Sequence, residues 1–165
     1  DLLSSALTEA LAQHDQARCT EGERLCRDLL AKVDQIDLEV ARVKGLAPSV
    51  TEHYRQRLLN RAEEILGEQR EEWYPDQRLF AEVAVLADRA AIDEEITRLD
   101  SHLLSLPQTL QGEGPAGRQL DFLLQELNRE TNTIGSKAGL LELSQAAVSM
   151  KTLLEQIREQ VQNLE

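Results

Sequence analysis

Heptad seams constrain this chain more than any other feature. Cys26, Leu29, Val33, Ile36, Val40 and Val43 follow one another at alternating spacings of three and four. The alternation returns at Ile92, Ile96, Leu99, Leu103 and Leu106, and again from Leu143 through Ala147, Met150, Leu154, Ile157 and Val161 to Leu164. That period keeps side chains on one face of an α-helix and on no face of a strand. Helices with such seams bury them against other helices. The expected fold is therefore all-α, a helical bundle of long antiparallel, coiled-coil-like helices. Composition agrees, because aromatics are only 3 % and strands favour aromatic and β-branched residues.

Proline and glycine punctuate the pattern. Helix is expected over 1–44, with Gly45 and Pro48 ending it, and over 49–66, with Gly67 as the residue just past its end. Residues 68–77 read as a polar connection, in which Trp73 and Tyr74 anchor a loop or stack on a base. A third helix is expected over 78–106 with Pro107 as its stop. Its seam, projected backwards, meets Arg89. Residues 107–117 (PQTLQGEGPAG) are the strongest linker signal, and 118–165 form a last helical stretch broken near Gly135 and Gly139. Together they are expected to make one domain of three helices, a linker and a C-terminal helical region. The chain begins Asp1-Leu2-Leu3, already in helical pattern and without Met, as expected of a portion whose upstream part is absent.

The net charge of -12 makes the chain as a whole a poor nonspecific ligand for nucleic acid, since phosphate affinity comes from Lys and Arg. His53, Arg55, Arg57 and Arg61 make one stretch locally basic, as solvated arginines beside a seam or as an RNA-contacting patch. No apolar run approaches the ~20 residues that span a bilayer, and no signal peptide is visible. Cys19 and Cys26, seven residues apart on one helix, would lie about 10 Å apart, too far to bridge. Two free helix-face thiols fit a cytoplasmic protein.

Two segments do not look like ordinary helix surface. In DRAAIDEEITRLDSH (88–102), Glu94, Arg98 and His102 share a face at i, i+4, i+8, and Glu95 lies seven residues before His102. Carboxylates and an imidazole so placed can hold a divalent metal or serve as acid and base, and equally can form a surface salt bridge beside a bystander histidine. In RQLDFLLQELNRETNTIGSK (118–137), Asp121, Gln125, Asn128 and Asn132 fall on one stripe, flanked by Glu126, Arg129 and Glu130. Short polar side chains compete with a helix for its backbone hydrogen bonds. Their concentration points to a polar network, either ligand-facing or buried to fix helix register. Zinc patterns, nucleophile elbows and phosphate-binding loops are absent from the sequence.

These segments resemble the C-terminal region of the YicC-like endoribonuclease family. The resemblance is carried by EVAVLADRAAIDEEITRLDSH (82–102), GPAGRQLDFLLQELNRETNTIGSKA (114–138) and IREQVQNLE (157–165), about half the chain. It implies a bacterial endoribonuclease that cleaves single-stranded RNA with a divalent metal (Mn²⁺ or Mg²⁺), assembled as a ring-like homo-oligomer of six subunits and bearing an N-terminal domain that this chain lacks. Residue by residue, it implies metal ligands at Glu94, Glu95 and His102, catalysis by His102, Glu126 and Arg129, and RNA binding or a polar network at Arg98, Arg118, Asp121, Gln125, Asn128, Glu130, Asn132, Ser136 and Lys137. Two positions depart from the family pattern: Ala91 stands where it has Asp, and Asp93 where it has Ser. The alternative reading is a non-catalytic oligomerisation module supporting an RNA-binding N-terminal domain, favoured by the seams at 26–43 and 143–164. A final expectation is that Glu94, Glu95 and His102 lie near Glu126, Asn128, Arg129 or Asn132, because helices joined by a turn bring residues equidistant from it to one height.

Overall fold

The computed structural model describes residues 2–67, 76–112, 116–137 and 139–162. Among these, every regular element is helical: α1 (Leu2–Leu66), α2 (Asp76–Ala90), α3 (Asp93–Gln111), α4 (Gly117–Lys137) and α5 (Leu141–Val161). The middle of α1 packs with α3, α4 and α5 as a four-membered ring of neighbours: α1 on α3, α3 on α4, α4 on α5, and α5 back on α1. Contacts at two heights fix the directions. Arg98 meets Glu130 while Lys137 meets Glu95; Arg158 meets Asp121 while Gly135 lies against Ala147; Gln160 meets Asp28 while Gly139 lies against His53; and Lys44 meets Asp100 where α3 closes the ring on α1. Each neighbouring pair is thus antiparallel, an up-down-up-down bundle.

The seams fill the interior. Leu29, Val33, Ile36, Val40 and Val43 of α1 meet Leu99, Leu103 and Leu106 of α3, Leu120, Leu124, Leu127 and Ile134 of α4, and Leu143, Met150, Leu154 and Ile157 of α5 in one cluster. No aromatic side chain is among them. Aliphatic residues at alternating spacings of three and four interlock as knobs and holes, which explains how a chain with so few aromatics forms a core. At Gly135 a Cβ would come within 3.3 Å of the Ala147 Cβ, so the missing side chain lets α4 and α5 approach closely.

Three helix boundaries differ from expectation. Gly45 and Pro48 do not end a helix: α1 runs through both, 65 residues and roughly 100 Å at ~1.5 Å each. Pro48 removes one backbone hydrogen bond, a loss of about 3 kcal/mol in an isolated helix. Packing opposes it, because Val43 and Val50 are buried on either side and Leu46 and Ala47 lean on the core. Pro107 likewise sits inside α3, just after buried Leu103 and Leu106, with Leu110 leaning on the core beyond it. The expected helix over 78–106 is instead two, broken at Ala91 and Ile92. Ile92 is 1 % exposed and anchors the break in the core. Asp93, Glu94 and Glu95 then place negative charge in the first turn of α3, where the helix dipole favours it. The break shifts the phase of the seam, so α2 buries Val83, Ala87 and Ala90 while Arg89 faces solvent.

Gly67 has φ +54 at the end of α1, the left-handed conformation expected of it. The last stretch breaks between Lys137 and Leu141, as the glycines suggest. Beyond the bundle, residues 2–21 of α1 are exposed throughout, including Leu3, Leu7 and Leu11. The other end of α1 continues past the bundle and carries α2. Trp73 and Tyr74 lie outside the described residues.

Ile157 is fully buried and Leu104 is 71 % exposed. Ile157→Ala should lower unfolding stability by about 3 kcal/mol, and Leu104→Ala by less than about 0.5 kcal/mol, measured by urea denaturation.

Candidate functional site

The two unusual segments lie on α3 and α4, which pack side by side and antiparallel. At their contact two carboxylates leave water. Glu95 is 6 % exposed and Glu130 is 3 % exposed. Burying a carboxylate costs several kcal/mol unless cations and hydrogen bonds compensate. Arg98 answers Glu130 with a two-pronged contact, Nε to Oε1 and Nη2 to Oε2, both 2.9 Å. Its Nη2 also reaches Glu95 Oε1 at 3.2 Å, and its Nη1 reaches Glu94 Oε2 at 3.4 Å. Lys137 donates from Nζ to Glu95 Oε1 at 3.1 Å and to the Ala91 carbonyl at 2.8 Å. Position 91 is therefore the hinge between α2 and α3, and its backbone oxygen ties that hinge to the end of α4.

The two buried acids and two bases neutralise one another. Burial raises the Glu95 pKa, but the Lys137 hydrogen bond, a backbone hydrogen bond and the charges of Lys137 and Arg98 outweigh it, and the net shift is downward. Arg98 is held cationic, its pKa raised chiefly by the hydrogen bonds to Glu130. Glu95 Oε2 is buried and has no hydrogen-bond partner among the described residues.

This pairing sets the register. Because residue 98 meets 130, one turn further brings His102 level with Glu126, on the rim of the α3–α4 groove. Both are half-buried. Arg129 stands above them, 74 % exposed and 3.8 Å from Glu126. The direct inter-helix contacts are Arg98 with Glu130 and Lys137 with Glu95, rather than pairs drawn from the sets expected to meet. The stripe of Asp121, Gln125, Asn128 and Asn132 is an open surface feature and not a buried network. Gln125 donates to Asp121 at 3.0 Å, and Asn128 lies in a shallow groove toward α5. The polar residues buried in α4 are Glu130 and Thr131, the latter donating to the Leu127 carbonyl at 2.8 Å. Arg118 and Ser136 are exposed on α4.

Glu94, Glu95 and His102 do not converge: among the described residues, no three of His, Cys, Asp and Glu gather as a metal shell. Glu95 already has two cations on one oxygen, and Glu94 points outward with its side chain 89 % exposed. The donor set does not fit a divalent ion within one chain. The basic stretch on α1 reads as solvated arginines, since Arg55 pairs with Glu52 at 2.7 Å on an exposed face. Cys19 and Cys26 are free thiols.

Comparison with known proteins bears on this geometry. Residues 43–165 match the model of the C-terminal region of YicC-like endoribonucleases. The chain belongs to the YicC-like endoribonuclease family. Two relatives, each named "Probable endoribonuclease YicC", come from Clostridioides difficile (strain 630) and Haemophilus influenzae (strain ATCC 51907 / DSM 11121 / KW20 / Rd). The first is 38 % identical over 164 residues, 99 % of this chain and 55 % of the relative; the second is 38 % identical over 165 residues, 100 % and 55 %. The chain thus spans about half the length of the curated relatives it matches. Among its described residues no helix is long and apolar enough to cross a membrane.

One exposed residue escaped the sequence reading. Phe122, inside the LDFLLQE string, was hidden among core leucines but is 57 % exposed. The available signal was its position four residues after Arg118 and seven before Arg129, which takes it off the seam.

Lys137→Met should destabilise the fold by about 2 kcal/mol at pH 7, because it strips buried Glu95 of a donor. The lowered Glu95 pKa gives a sign for acid: its carboxylate stabilises the fold above the ordinary value of 4.5 and loses that contribution as pH falls through its lower folded value. The stability gap between wild type and Glu95→Gln should therefore narrow below about pH 4, followed by urea midpoints across pH.

Proposed function

We propose that this chain is the C-terminal portion of an endoribonuclease that cuts single-stranded RNA, and that the strand is cut along the rim of the α3–α4 groove. The observation that carries the reading is the register that brings His102 level with Glu126, with the exposed Arg129 one turn along α4 and 3.8 Å from Glu126, beside a cluster whose own charges are already spent. An RNA strand brings its own nucleophile, the 2′-hydroxyl. Cleavage by that route needs a base to take its proton, an acid to protonate the leaving 5′-oxygen, and positive charge near the phosphate oxygens. His102 and Glu126 are the proton-transfer candidates, and the Arg129 guanidinium, projecting into solvent, is placed to meet the phosphate. The Mn²⁺ or Mg²⁺ implied by the resemblance finds no fitting donor set among the described residues.

The buried cluster favours a second role for part of the same motif. Glu95, Arg98, Glu130 and Lys137 act as scaffold, holding α3 and α4 in register. The exposed leucines of α1 support self-association of the kind the resemblance implies, a ring-like homo-oligomer. The free thiols suit a reducing cytoplasm.

In the intact protein, His102→Ala and Glu126→Gln should each lower the rate of cleavage of a labelled single-stranded RNA by about 10²-fold or more, with helicity and assembly retained. Unchanged cleavage would assign the rim to scaffold. Sedimentation velocity should show an assembly larger than a monomer; a monomer at all micromolar concentrations would count against the ring.

A further inference from the structure

The aliphatic core leaves both phenylalanines of the chain outside it: Phe80 is 51 % exposed and Phe122 is 57 % exposed. An exposed ring forgoes burial worth about as much as any single side chain can contribute, so a surface Phe in an otherwise aromatic-poor protein asks for a partner. The surroundings of Phe122 say which kind. Arg118, Phe122, Gln125, Arg129, Asn132 and Ser136 follow one another at spacings of four and three along α4, and all six are exposed. They form the outer stripe of the helix, opposite the seam of Leu120, Leu124, Leu127 and Ile134, and it is about 27 Å long at ~1.5 Å per residue.

This stripe carries two arginines and no carboxylate, in a chain of net charge -12. The acids beside it already have partners. Glu130 is held by Arg98, and Asp121 accepts from Gln125 with Arg158 nearby at 3.9 Å. Glu126 is 3.8 Å from Arg129, which nevertheless stays 74 % exposed. A second copy of this chain is a poor occupant. Packing two such stripes together would bury one ring per side and desolvate paired arginines and amides, unlike an apolar helix interface. A single strand of nucleic acid suits every residue: guanidiniums for phosphates, a ring for a base, amides and a hydroxyl for base edges and ribose.

We propose that Arg118, Phe122, Gln125, Arg129, Asn132 and Ser136 form a track for single-stranded RNA, in which a base stacks on Phe122 and the flanking arginines hold the phosphates. The track rests on the ribonuclease reading above, and extends it from where the strand is cut to how it is gripped. Stacking tolerates any base, so the track selects for unpaired strands more than for sequence.

The test is equilibrium binding of a fluorescein-labelled 12-nucleotide oligo(A), and of an abasic backbone of equal length, to the intact protein. Phe122→Ala should weaken oligo(A) binding about tenfold or more and leave abasic binding within twofold, while Phe122→Trp keeps oligo(A) affinity. Arg118→Gln with Arg129→Gln should weaken both ligands and flatten the salt dependence by roughly one unit of log K per log salt. Circular dichroism confirms that each variant is folded. Unchanged oligo(A) affinity in Phe122→Ala overturns the track, as does an equal loss for the abasic strand. Loss of self-association with RNA affinity intact would make the stripe an interface between copies and also overturns it. Absence of RNA binding by the wild-type protein would instead defeat the ribonuclease reading, on which the track depends.

Discussion

The two carboxylates buried between α3 and α4 are the constraint on which the rest of the site depends. Glu95 and Glu130 could not sit beside a leucine seam without Arg98 and Lys137, and these four side chains meet in only one register of the two helices. An apolar seam alone would tolerate a slip of one heptad, because every knob would find another hole. A buried ion pair does not tolerate it, since a slip would strand charge in a dry environment. The same cluster holds the α2–α3 hinge through the Ala91 carbonyl. Register, hinge and the height of His102 against Glu126 all follow from one set of charges.

That arrangement also divides labour within a motif that looks uniform in sequence. Side chains turned inward on α3 and α4 are consumed in holding the helices together. Those turned outward are left to meet solvent or a ligand. A metal shell built on Glu95 would have only its buried Oε2 to offer, and among the described residues no other acid or imidazole gathers with it to complete a shell, which is why the donor set does not fit. In an acidic chain the outer face of α4, where Arg118 and Arg129 are exposed and Asp121 is paired with Gln125, is a place where a polyanion meets little repulsion.

Much of the fold was legible in the sequence. The three seams named nearly all the core residues of the middle of α1, of α3 and of α5, because alternation of three and four depends only on helix geometry. Gly67 was legible for the same local reason, and its positive φ is one that few other residues adopt. Pro48 and Pro107 misled because local chemistry disfavours a helix there while burial on both sides holds it together, and burial is a property of the tertiary structure. The break at Ala91 and Ile92 carried no glycine or proline to announce it; it exists because Ile92 is drawn into the core and three acids begin a new helix. For the site, spacing along α3 correctly paired Glu94 with Arg98, but spacing cannot say which acid is dry. Glu130 looked like a flank of the polar stripe and is one of the most buried charges described.

The central claim is that α3 and α4 present their outer and rim residues to an RNA strand while their inner charges serve as scaffold. Ultraviolet crosslinking of the intact protein to a single-stranded RNA, with the attachment sites read by mass spectrometry, tests it most directly. The account predicts adducts on α4 and the α3 rim, centred on Phe122 and His102, with residues 2–21 and the outer face of α5 free of them. Adducts confined to α1 or α5, with none on α4, would contradict it.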